Sequence, residues 1–397
     1  MSALPCPRTN HEDHEGTKIT KDIFGFASSW SSHLRGFRDR AVTVGAVGIV
    51  SIFAGSTPAS AQSFLSQHTS FEFASAVTSS SPAPDDPFVV FDATATVRVM
   101  DSLDVIVRPW IRRLPGGDWS KEMYQLQVRY QPATRLPLRI DAGIISSPLG
   151  IIALEMRPDL NPLIGSPSYY FSPLPSFDGK FDRVQLLSGG YPLGAMASVS
   201  GQRWDARAGV TDGTPARNRK MMSSNRPPAE PQLVMGGGVT PVAGLRLGAG
   251  YAHGIYREPT VASASAPLPQ TEAKSATVFN LEGEYAIGYT RIAGEWILDH
   301  FETVTTTPAV ARGFLLEAVR TLSPRWYVAG RVTRASTPVF TAGTRVRRSN
   351  GTVDSNVGIR ISPELILKVG YQGARAHTRA DWDHSAAVSL VVSKRFF

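Results

Sequence analysis

Three stretches hold acids and histidines close enough to suggest bond-making chemistry. HEDHE begins at His11, Asp299 adjoins His300, and ADWDHS at 380–385 groups Asp381 and Asp383 with His384. Two histidines on one helix face around zinc need a spacing of four; those of HEDHE, His11 and His14, are three apart. Neighbouring residues of a strand point to opposite faces, so Asp299 and His300 cannot pair within one. The 380–385 group stands without a partner constellation, so a hydrolase built on His384 and Asp381 is the weakest functional reading. Phosphate-cradling glycine loops and clustered metal ligands are absent, and no cofactor or metal is expected. The glycines of GGGV and GAG sit in strand patterns, where they allow curvature or close backbone approach.

A second set of charges is larger and differently arranged. Along segments that alternate polar and apolar residues, the polar phase carries Arg98, Arg129, Arg139, Arg203, Arg207, Arg246, Arg291, Arg331, Arg360 and Lys368. The same phase carries Asp92, Asp141, Asp205, Glu282, Glu284, Glu295, Asp299 and Asp354. Rings of such charge around a water-filled bore select ions, with Arg and Lys favouring anions. The chemistry is selection of solutes, with a small surplus of positive groups.

Charges so spaced need strands to position them. In EMYQLQVRYQ, Glu122, Tyr124, Leu126, Val128 and Tyr130 share one face, opposite Met123, Gln125, Gln127 and Arg129. LRIDAGI, LRLGAGYA and PRWYVAGRV repeat that period of two. Sixteen strands are predicted at about 68–78, 88–100, 103–113, 122–131, 136–145, 192–200, 203–211, 233–240, 243–252, 275–287, 289–300, 312–322, 325–334, 352–361, 364–374 and 385–397. Most have nine to twelve residues; a soluble strand averages about five or six, and one tilted across a bilayer needs about 9–11. Short turns alternate with long links at 79–87, 114–121, 146–191, 212–232, 253–274, 301–311, 335–351 and 375–384. That asymmetry is the habit of outer-membrane barrels. A soluble sandwich also alternates, yet a fold of that kind should hold strands apolar on both faces, and nearly every strand here has a charged side. The outward rings expected in interfacial belts are Tyr124, Tyr130, Trp204, Tyr251, Phe279, Tyr285, Trp296, Phe314, Trp326 and Tyr371.

Of 397 residues, 42% are hydrophobic and 19% charged, with net charge +8 and one cysteine. Eighteen consecutive apolar residues, the minimum for a spanning helix, occur nowhere. AVTVGAVGIVSIFAG (41–55) follows Arg35, Arg38 and Arg40 and precedes Ala59-x-Ala61, the pattern of a secretory signal. Residues 1–61 are therefore expected to be an N-terminal extension and signal peptide cleaved near Ala61. Residues 62–397 are expected to form the barrel. The lone Cys6 falls in the removed piece. Export makes nucleic acid an unlikely partner. The final SLVVSKRFF reads as a closing strand, with Val388, Leu390, Val392 and Phe396 on its apolar face.

RIDAGIISSPLGI (139–151) resembles the strand and Gly-x-x-x-x-Pro-x-Gly turn of Gram-negative porins of the phosphate-selective type. YPLGAMASVSGQRWDARAGVTDG (191–213) resembles that family's next hairpin. The resemblance implies a sixteen-stranded channel of the bacterial outer membrane, usually a homotrimer, among outer-membrane lipids and lipopolysaccharide. It also implies a constriction loop folded inward over about 146–191, carrying Pro148, Arg157, Asp159, Tyr169 and Tyr170. Phosphate-selective members line their pathway with lysines; here Lys368 is the lysine read onto a polar face. The expected function is passive diffusion of small hydrophilic, polar or anionic solutes, without catalysis. The alternative is a structural or surface-binding barrel that does not conduct.

Overall fold

The computed structural model describes residues 68–81, 87–132, 137–146, 149–151, 157–167, 170, 174, 185–187, 192–213, 231–257, 272–303, 307–341, 344–375 and 381–396. The signal peptide expected over 1–61 lies outside them. Sixteen strands form one closed antiparallel barrel. They are β1 (Thr69–Ser81), β2 (Phe88–Met100), β3 (Leu103–Arg113), β4 (Trp119–Tyr130), β5 (Leu138–Ile144), β6 (Leu193–Ser200), β7 (Trp204–Thr211) and β8 (Gln232–Val242), then β9 (Leu245–Arg257), β10 (Lys274–Ile287), β11 (Thr290–Phe301), β12 (Ala309–Thr321), β13 (Trp326–Thr341), β14 (Thr344–Ser362), β15 (Leu365–Arg375) and β16 (Asp383–Phe396). Each strand pairs with its sequence neighbours. The ring closes where β1 meets β16, with Phe71 opposite Phe396 and Thr78 opposite Ser389. No helix among the described residues is long and apolar enough to cross a membrane.

The period of two becomes an inside and an outside. On β12, Phe314 and Leu316 face out and are exposed, while Leu315 and Glu317 face in and are buried. The register puts every strand carboxylate on the interior, from Glu72 and Asp92 to Asp354. Closure leaves no strand edge unpaired, which hydrocarbon requires because an unmet backbone group there costs several kcal/mol.

Two expectations need correction. Tyr124 is not an outward ring: the β3–β4 register shifts between Arg108 and Pro109, and this bulge brings Tyr124 against Trp110, ring centroids 4.6 Å apart. A bulge sets two residues of one strand against one of the other and so reverses facing. The long link expected at 335–351 is instead the top of a hairpin, β13 and β14 pairing without slip from Trp326–Ile359 to Thr341–Thr344.

The wall is uneven. β5, β6 and β7 have 7, 8 and 8 residues, against 13, 16 and 19 in β12, β13 and β14. Outside the low part, Ala142, Ala195, Ala197, Ala206 and Ala208 form an exposed patch of small side chains.

Candidate functional site

Inside the barrel, the stretch 157–165 lies in the lumen and is clamped to the tall wall. Lys368 on β15 donates from Nζ to the carbonyls of Pro158 (2.7 Å), Asn161 and Leu163. Asn356 on β14 donates to Pro162 O at 2.8 Å. Arg331 on β13 spans Glu317 Oε2 (2.7 Å), Gly165 O (2.9 Å) and Asn161 Oδ1 (3.2 Å). Asn161 also makes a local turn, accepting from Leu163 N at 3.0 Å. At the start of the stretch, Arg157 forks onto both Asp159 oxygens at 2.7 Å and reaches Glu72 of β1, also at 2.7 Å. Arg331 and Lys368 are each 2% exposed, so each buried cation is fully engaged. Loop carbonyls that would otherwise face a dry contact are met by donors from the wall.

Other described residues of the inward loop rest on an apolar cushion. Leu149, Leu174, Leu186 and Leu187 are buried with Val234, Val278, Ile297, Phe301 and Ala311 from β8–β12. Glycines make that room. A Cβ on Gly250 would lie 2.4 Å from Leu149, and one on Gly313 2.5 Å from Leu186. One polar peg crosses the cushion, Tyr170 donating to Glu295 Oε2 at 2.6 Å.

The opposite wall carries ion pairs. Arg108 forks onto Asp92 at 2.8 and 2.7 Å, buried. Arg129 and Arg139 pair with Asp141 at 2.8 and 3.0 Å, and Gln127 donates to it at 3.2 Å. Arg246 bridges Asp205 (2.9 Å) and Glu282 (2.7 Å), and Arg207 meets Glu282 at 3.3 Å. The GGG run lies beneath them: a Cβ on Gly238 would sit 2.7 Å from Arg246 Nη2, and one on Gly236 3.2 Å from Arg207 Nε. These glycines clear the wall for guanidinium groups, beyond the close backbone approach expected of them.

A cavity of about 410 Å³ opens between the clamped stretch and the short-turn end, lined among others by Asp159, Leu160, Tyr289, Arg291, Tyr327 and Arg360. Arg291 bonds Glu284 at 3.1 Å. Arg360 lies 5.1 Å over the Tyr327 ring and donates to Pro324 O. Of the remaining predicted residues, Arg98 pairs with Asp104 at 3.5 Å, and Arg203 is exposed in the turn before β7. Pro148 and Tyr169 lie outside the described residues.

Inward residues missing from the charges read from the sequence include Glu72, Asp104, Arg108, Arg112, Glu122, Glu317 and Arg395, which pairs with Glu72 at 3.3 Å. Four of these are acids, and Arg203 stands in a turn rather than the lumen, so the small positive surplus read from the sequence disappears. Arg108 was hidden because LDVIVRPWIRR is apolar on both phases at first sight; Asp104, Arg108 and Arg112 at spacings of four were the available signal.

These features invite comparison with solved structures. OmpF of Salmonella typhi in complex with daunomycin superposes with a TM-score of 0.53 at 10% identity, covering 82% of this chain and 97% of that chain. The anion-selective porin from Comamonas acidovorans gives 0.52 at 9%, covering 83% and 98%. OprB of Pseudomonas putida gives 0.53 at 10%, covering 85% and 96%. The fold is that of the porins. No family model matches the sequence, and no curated relative matches it. At these identities the likeness is one of fold.

Proposed function

We propose that the chain is a porin of the bacterial outer membrane, exported by a signal peptide that ends near Ala61. Its 62–397 barrel passes small polar or anionic solutes by passive diffusion. One observation carries the reading: a closed barrel with an apolar exterior encloses paired charges and a loop clamped inside its bore. Arg and carboxylate side chains tolerate that position because water fills it, whereas an Arg facing mid-bilayer lipid costs about 2–4 kcal/mol. Inward charge is balanced, which favours weak ion preference, with Arg360 and Arg112 as inward cations that make no ion pair among the described residues. The motifs at 139–151 and 191–213 favour kinship with the phosphate-selective type. Lys368, held on loop carbonyls, argues against a lysine pathway for phosphate.

A homotrimer is supported by the low wall. Eight residues at about 3.3 Å each, tilted about 40°, rise only about 20 Å, short of an apolar band about 25 Å tall. The alanine patch outside β5–β7 would let a second copy approach and cover the deficit.

Single-channel recording in planar bilayers tests the reading. Stable steps in KCl, a reversal potential near zero in a KCl gradient and no block of chloride current by phosphate are expected. Absence of current from correctly folded protein would overturn it in favour of a non-conducting surface barrel.

A further inference from the structure

The exterior of the strands carries no carboxylate, yet four exposed arginines face outward on adjacent strands: Arg312 on β12, Arg334 on β13, Arg347 on β14 and Arg375 on β15. None of the four makes an ion pair among the described residues; Arg347 bonds Ser336 Oγ at 3.4 Å. Arg334 and Arg375 flank Gly351, which pairs with both. Their backbones therefore stand two strand spacings apart, about 9–10 Å, with no side chain between them.

Their height is fixed by the turns. Counting up from Leu322, Arg325 and Glu364, Arg312, Arg334 and Arg375 lie ten, nine and eleven residues above the short-turn end. At about 2.5 Å of height per tilted residue, that is about 23–28 Å, the far edge of a band about 25 Å tall. Arg347 stands higher still. Below them the outward face carries the exposed apolar residues Leu316, Val332 and Val353, with Ser355 the polar residue at mid-height on β14 and Arg320 near the short-turn end. The exposed rings of Trp296 and Phe314 mark the same level on β11 and β12, as an aromatic girdle would.

We propose that this arginine cluster is a binding site for the phosphate groups of an anionic lipid in the leaflet facing the long links, a bisphosphorylated glycolipid being the best match. The inference rests on the membrane-barrel reading above. Guanidinium forks bind phosphate bidentately, and at the edge of hydrocarbon a cation without a protein carboxylate needs an anion from the lipid. Four cations around one glycine notch suit two phosphates better than one. The arginines also spare that leaflet the repulsion between neighbouring phosphates at the protein boundary.

The test uses the full barrel in dodecyl maltoside with lipid A carrying both phosphates, the monophosphoryl form and phosphatidylcholine, read by native mass spectrometry. Wild type should prefer the bisphosphorylated lipid, and the Arg334→Gln/Arg375→Gln double variant should bind it about thirtyfold more weakly. An Arg113→Gln/Lys121→Gln variant, which removes outward cations from the other side of the barrel, should bind as wild type. Unchanged affinity in the first variant, equal loss in the second, or equal binding of phosphatidylcholine would each overturn the site. Heat-modifiable migration confirms that each variant is folded. The KCl current is measured separately, so a barrel without current ends the channel reading and leaves the lipid result readable.

Discussion

The low wall of β5–β7 and the tall wall of β12–β15 are made by the same alternation and finish as opposites. Outside, the low wall offers alanines and the tall wall offers valines topped by arginines. Inside, the low wall leaves Asp205 and Arg207 partly exposed, while the tall wall buries Glu317, Arg331 and Lys368 against the loop. Strand length is the variable that differs. A strand long enough to cross the apolar band by itself can meet lipid on one face and hold a loop on the other. One too short to do so needs a neighbour outside and leaves its inner face wet.

The comparison breaks most readily at Arg331. Arg331→Met leaves buried Glu317 with only the more distant Arg291, 3.9 Å away, a loss expected to cost about 3–5 kcal/mol. Urea unfolding in micelles should register it, and the freed loop should raise conductance; an unchanged midpoint would mean that the clamp does not hold the tall wall. Next comes a matched pair of outward arginines. Ala197→Arg should dissolve the oligomer, seen by native mass spectrometry, while Val332→Arg should cost about 2–4 kcal/mol of barrel stability and leave the oligomer intact. Equal effects of the two would erase the distinction between the walls.

A smaller effect is expected at Gly238, beside the low wall. Gly238→Ala puts a Cβ where Arg246 Nη2 now lies, 2.7 Å away, and should cost about 1–3 kcal/mol while shifting conductance as Arg246 leaves Asp205 and Glu282. Asn356→Ala, which removes the donor to Pro162 O, should cost about 1 kcal/mol. It should show chiefly as added open-channel noise from a looser loop.

The sixteen strands were legible because lipid and water act on opposite faces of each, and that contrast writes a period of two directly into residue type. Where the contrast fades, so did the signal. TRVRRSNG, 344–351, stands largely above the apolar band, wet on both sides, and its strand character could not be read from hydropathy. Tyr124 was misplaced because one bulge inverts facing, although Pro109, which cannot donate to the ladder, was a readable warning. The clamp was not legible. Its acceptors are backbone carbonyls of a loop some two hundred residues from Lys368, and a carbonyl leaves no mark on residue identity. Glu317 hid for a related reason, since Gly313 and Leu315 on its face are apolar to suit the loop leucines rather than lipid.

The seam between β1 and β16 sets a condition on how the molecule is made. Thr78 bonds Ser389 across 311 residues, and Phe71 and Phe73 meet Phe396, the rings 6.0 and 6.2 Å apart. Contacts that distant in sequence form slowly, and β1 has no partner on that side until β16 is in place. Until that pairing forms, both edges of the sheet stand open and can template pairing with another chain.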